Sequence, residues 1–180
     1  TRLAAVLAIG ALGFYVVIYT IALKRHTPQN IVIGGAAGAA PALIGWAAVT
    51  GSLSLEAWLL FAIVFFWTPP HFWALALRFR GDYAAAGIPM LPVVAGEAVT
   101  VRQILLYAIS LTGITLLLQP VAGLGAVYLV VAIVLGGGFV VGAAMVMTRP
   151  GKAMTLFRYS NLYLALLFGA VALDVLVDAS

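Results

Sequence analysis

The 180 residues contain no cysteine, which excludes disulfides and thiolate metal sites. Charge is scarce too. Only 8% of the residues are Asp, Glu, Lys or Arg, against about 25% in a soluble globular domain. That shortage removes the ordinary water-soluble classes. The net charge of +4 comes from basic residues standing singly in short loops, a pattern that does not suggest nucleic-acid binding. The short alternating segments of a membrane β-barrel are missing as well. So are the charged leader and small-residue cleavage site of a signal peptide. With Thr1 in first place, the sequence reads as the C-terminal part of a longer chain.

What is present is apolar: 65% of the residues are hydrophobic and mean hydropathy is +1.19. A helix needs about 20 apolar residues to cross the hydrocarbon core. Six segments meet that length or approach it, over 3–23, 31–50, 55–77, 104–118, 124–148 and 157–177. The fourth is the shortest. In lipid the backbone must satisfy its own hydrogen bonds, so these segments are expected to be helices in an all-α, polytopic transmembrane bundle. Alternating the loops puts Lys24, Arg25, Arg78, Arg80, Arg102, Arg149, Lys152 and Arg158 at one face and only Arg2 at the other. The basic face is expected to be cytoplasmic, in a bacterial cytoplasmic membrane.

The stretch 78–103 is longer than the other connections and too apolar for disorder. Ile88, Met90, Leu91, Val93 and Val94 follow one another closely there, and it is expected to cap the cytoplasmic mouth of a single domain. The glycine clusters GGAAGAA (34–40) and GGGFVVG (136–142) read as places where helices approach closely. The first is not a nucleotide loop, because it has no preceding strand and no following Lys-Ser/Thr pair. No internal repeat is visible.

The chemistry concentrates in LKRHTPQN (23–30), WTPPHFW (67–73) and RFRGDYAAAGIPM (78–90). Pro69 and Pro70 take two donors out of the helix ladder, and their rings crowd the carbonyls of Phe65 and Phe66. A bend or break is expected there. His71 follows at once, roughly 10 Å deeper than Arg78 at 1.5 Å per residue. An ionisable group at that depth is a candidate site residue; the alternative is a packed histidine bonded to a neighbouring carbonyl. Lys24, Arg25, Arg78 and Arg80 are topology signals or a cationic cluster for an anionic head group. Asp82 could pair with an arginine or help to hold Mg²⁺, which takes one or two carboxylates plus substrate phosphates. Any such metal site needs partners from outside this sequence. Glu97 ranks lower, Glu56 reads as a helix-end charge at the opposite face, and Asp174, near the outer end of the last run, could snorkel or cap and has no assigned role.

Together YTIALKRHTPQNIVIGGAAGAAPALIGWAAVTG (19–51), FFWTPPHFWALAL (65–77) and DYAAAGIPMLPVV (82–94) resemble, in order and spacing, the protoheme IX farnesyltransferase (haem O synthase) branch of the UbiA-type intramembrane prenyltransferases. The resemblance implies a nine-helix bundle with a cytoplasm-facing cavity, of which this chain supplies the last six helices. The family's main aspartate-rich motif, which holds Mg²⁺ and prenyl diphosphate, is not in this sequence. The region matching its second motif keeps only Asp82. The implied reaction joins the farnesyl group of farnesyl diphosphate to a vinyl group of haem B, with water, giving haem O and diphosphate. On that reading Lys24, Arg25, Arg78 and Arg80 take the diphosphate charge. Asp82 and His71 are catalytic candidates, and Trp67, Phe72, Trp73 and Tyr83 line a dry cavity and face the carbocation. His71 is left as an iron ligand, a propionate partner or a guide for water. Implied partners are haem B, farnesyl diphosphate, the lipid bilayer, and haem A synthase or oxidase assembly proteins. The competing readings are a prenyltransferase for a quinone-precursor acceptor, a transporter with a broken helix, and a non-catalytic haem-binding assembly factor.

Overall fold

The computed structural model describes residues 1–178, all in helices and short connections with no strand among them. Six helices are long and apolar enough to cross a membrane. The first span is α1 (Arg2–Gly13) continued by a π-helical segment, Phe14–Leu23. Then come α2 (Asn30–Thr50), α3 (Leu55–Arg78), two short helices α4 (Arg80–Ala85) and α5 (Leu91–Val94), and α6 (Gly96–Ala122), α7 (Ala126–Thr148) and α8 (Ala153–Asp178).

Helices α3, α6, α7 and α8 pack in a ring, α3 touching both α6 and α8. Their shared core includes Ile63, Ile104, Leu111, Phe139, Tyr163 and Leu167. Helix α2 lies against α3, and α1 lies against α2. The outward faces remain apolar: Ile9 in α1 is 72% exposed and Val134 in α7 is 65% exposed. That inside-out distribution suits a lipid surround.

Two expectations need correction. α3 does not break at Pro69–Pro70; it is one helix of 24 residues. A proline ring fixes φ near the helical value, so the local cost is the lost donors and the crowding of the carbonyls one turn earlier. Thr68, Pro69, Pro70 and His71 are all buried, and α2, α6 and α8 clamp this helix. In a membrane bundle such packing holds a proline-bearing helix together. The fourth span is also longer than expected, starting at Gly96 and running 27 residues. Its first turns carry Glu97 and Arg102, which hide them from a hydropathy window. The long connection is therefore mostly structured. Met90, Ile31 and Ala76 form a small core under it, with Tyr83, Ile88 and Val93 packed alongside.

The glycine clusters serve close packing. A Cβ on Gly136 would come 2.6 Å from Thr112 Cγ2, one on Gly138 would collide with the Tyr159 hydroxyl, and one on Gly34 with the Tyr19 ring.

Asp174 turns out to be a cap supplied by another helix. Helix α7 begins after Gly125, which has no side chain to satisfy the free N–H groups of a helix start. The Asp174 carboxylate on α8 is 3% exposed. It accepts from Gly125 N–H and, at 3.1 Å, from Tyr128 N–H. Negative charge at a helix N-terminus is favourable as well. Asp174→Ala leaves both donors buried and unpaired. It should lower stability by about 2 kcal/mol, measured as thermal unfolding of the whole protein in detergent, with Asp174→Asn losing less.

Candidate active site

The basic end of the bundle is built from the turn after the first span, the C-terminus of α3, and α4. Asn30 is 1% exposed and its amide donates to the Lys24 carbonyl at 3.1 Å, which fixes that turn. Ile31, one residue on, enters the small core with Ala76 of α3 and Met90. The turn bearing Lys24 and Arg25 is thereby fastened to α3, which ends at Arg78 and leads into α4 with Arg80 and Asp82. Lys24 is half-buried and the other four side chains are exposed. Arg78 lies with its guanidinium 6.0 Å from the Phe79 ring centroid. Among the described residues none of these cations forms an ion pair, and neither does Asp82. Four uncompensated cations at one rim favour an anionic group there.

Below that rim lies a cavity of about 490 Å³ between the first span, α2 and α3. Tyr19, Gly34, Gly38, Pro41, Trp67 and Phe72 are among its walls. Gly35 belongs to the close contact with Thr68, where a Cβ would lie 3.3 Å from its side chain, whereas no atom lies within 4 Å of a Cβ on Gly38. Small residues on α2 therefore create the width of this slot. Two of the four expected lining aromatics, Trp67 and Phe72, stand in its wall. Trp73 faces the other way and is 2% exposed, edge-on to Tyr107 of α6 at 5.3 Å. Tyr83 packs on the Met90 core.

His71 is 8% exposed, on the α8 side of α3. Its ring is stacked between Trp67, at 4.2 Å, and Phe157, at 4.5 Å, and its Nδ1 is 2.7 Å from Ser160 Oγ. Trp67 Nε1 donates to the Ser160 carbonyl at 2.8 Å. Two side chains one turn apart on α3 are thus anchored to one residue of α8. Nothing singled out Ser160, Phe157 or Tyr19 in the sequence. The available signal for Ser160 was a polar pair, Ser160-Asn161, in an otherwise apolar run.

No group of three or more His, Cys, Asp or Glu able to hold a metal ion occurs among the described residues. Asp82 alone does not make a metal site.

An apolar slot among membrane-crossing helices, in a bundle whose one end carries Lys24, Arg25, Arg78 and Arg80, defines an intramembrane helical protein. The profile of the UbiA prenyltransferase family matches residues 1–173, and the chain belongs to that family. It is 56% identical over 178 residues to a protoheme IX farnesyltransferase of Parafrankia sp. (strain EAN1pec), covering 96% of this chain and 57% of that protein. It is 55% identical over 174 residues to one of Gloeobacter violaceus, covering 95% of this chain and 57% of the relative. A third, from Thermus thermophilus, is 55% identical over 174 residues, with 96% of this chain but 29% of the relative covered. The chain thus spans well under two thirds of the length of these relatives. No solved structure matches it.

Proposed function

We propose that the whole protein to which this segment belongs transfers the farnesyl group of farnesyl diphosphate to a vinyl group of haem B, with addition of water, forming haem O and diphosphate. The observation that carries this reading is the 55–57% identity along almost the entire segment to proteins named for that activity. The family match spans residues 1–173, the stretch that carries the basic rim, the slot and His71.

The residues suit the chemistry. Cleavage of the allylic C–O bond leaves a carbocation and a diphosphate. Lys24, Arg25, Arg78 and Arg80 stabilise the charge developing on the leaving group. The slot takes the farnesyl tail and keeps bulk water from the cation. Trp67 and Phe72 offer π-faces to it. One vinyl carbon bonds the farnesyl carbon, water adds to the other carbon, and its remaining proton leaves with the medium. The family uses a divalent metal with its diphosphate substrates, and Mg²⁺ is the proposed ion. Its ligands do not come from this segment alone, since no cluster among the described residues fits it; Asp82 contributes at most at the margin. The basic face is assigned to the cytoplasm, so the rim meets soluble diphosphate there, and α4–α5 cap that mouth.

Acceptor choice tests the proposal. Membranes containing the whole protein, given farnesyl diphosphate and Mg²⁺, should farnesylate haem B and leave a hydroxybenzoate unmodified. Farnesylation of the hydroxybenzoate alone would assign the protein to the quinone branch. A chelator should abolish turnover. The slot has its own test: Gly38→Phe projects a ring into open space, so the protein should fold normally yet lose at least about 10-fold in kcat/KM for farnesyl diphosphate. A shorter geranyl donor should suffer less.

A further inference from the structure

We propose that Ser160 is a positioning residue for His71. It holds the imidazole as the Nδ1–H tautomer and leaves Nε2 as a bare lone pair. In that form His71 acts as an iron ligand or a proton acceptor, and not as a hydrogen-bond donor to a propionate. The inference rests on the reading of His71 as a site residue and narrows what that residue can do.

The protons available to the Ser160–His71 contact decide the tautomer. Ser160 Oγ lies 2.6 Å from the Phe157 carbonyl oxygen, which can only accept. That bond uses the one proton of the hydroxyl. The same Oγ is 2.7 Å from His71 Nδ1, so this contact needs a proton from the ring. A neutral imidazole has a single N–H, and here it is on Nδ1. Ser160 is fully buried, so no solvent molecule substitutes for either partner.

The rest of the surroundings fix the ring's orientation. Trp67 and Phe157 cover its two faces, with interplanar angles of 20° and 26°. Phe72 stands edge-on at 5.2 Å. Trp67 is itself tied to the Ser160 carbonyl, so hydroxyl and carbonyl of one residue set both members of the stack. Nε2 makes no hydrogen bond among the described residues, yet it is not one of the sealed, partnerless polar atoms. It is the one ring nitrogen left to an incoming group. A histidine that binds through one nitrogen is commonly oriented through the other in this manner.

The experiment uses the whole protein, labelled with ¹⁵N-histidine and purified in detergent, with His71→Ala assigning the signal. At neutral pH the His71 ring should show a protonated Nδ1 and an unprotonated Nε2. Ser160→Thr, which keeps the hydroxyl, should preserve that pattern, and Ser160→Ala should lose it. With farnesyl diphosphate and haem B as substrates, Ser160→Ala should lower kcat about 10-fold or more while the KM for farnesyl diphosphate stays put, and Ser160→Thr should restore the rate. Added haem B then separates the two lone-pair roles: an iron ligand shifts its absorption spectrum in wild type but not in His71→Ala, and a proton acceptor shifts neither. An Nε2–H tautomer or a doubly protonated ring in the wild type overturns the inference, as does Ser160→Ala with unchanged tautomer and rate. Full turnover in His71→Ala would instead remove the site reading on which the inference rests, and would do so even with the tautomer as described.

Discussion

His71→Ala in the whole protein should lower farnesyl transfer by about 100-fold or more, with the amount of folded protein in the membrane nearly unchanged. The size of the effect follows from the setting. The imidazole is stacked between Trp67 and Phe157 and hydrogen-bonded to Ser160, so its position needs no adjustment during the reaction. Alanine removes the nitrogen and opens a cavity between two aromatic rings. His71→Phe separates the two consequences: it fills the space without a ring nitrogen, so it should keep the stack packed and still leave turnover low. The assay is haem O formed per folded protein. If His71→Ala turns over like wild type, the residue is a packing histidine and the stack serves only to join α3 to α8.

Neutralising the rim should produce the second large change. Arg78→Ala and Arg80→Ala should each lower kcat/KM for farnesyl diphosphate by about 10- to 100-fold, the range for a charge-assisted hydrogen bond to phosphate. No acid among the described residues pairs with either arginine, so removing one frees no buried carboxylate and stability should hold. Lysine should rescue poorly where the fork of the guanidinium is used. Raising the salt should weaken the wild type more than the variants, because exposed charges are screened. An effect on haem affinity with no effect on farnesyl diphosphate would move the diphosphate away from this rim.

Much of the architecture was legible because a membrane makes few demands and makes them locally. Length and apolarity located all six spans, and the loop charges placed Lys24, Arg25, Arg78 and Arg80 at one end, as the fold does. The failures came where distant parts of the chain decide. Pro69 and Pro70 carry a local rule against helix continuity, and packing from α2, α6 and α8 overrode it. The start of α6 lay outside any apolar window because Glu97 and Arg102 belong to its first turns. Depth, the adjoining proline pair and the family resemblance suggested His71, but its partner is 89 positions away, and no periodicity links Ser160 to it. Asp174 read as a charge that could snorkel or cap, and the helix start it caps, at Gly125, lies 49 positions earlier. Trp73 was expected in the cavity wall as one of four aromatics suited to a carbocation, yet it follows Phe72 directly, and successive residues on a helix point about 100° apart.

The most direct test of the account is the mass of the haem recovered after incubating the whole protein, in membranes, with haem B, farnesyl diphosphate and Mg²⁺. The account predicts a new haem heavier by one farnesyl group and one hydroxyl, formed together with diphosphate. Recovery of haem B alone, from membranes in which the protein is folded and both substrates are present, would contradict it.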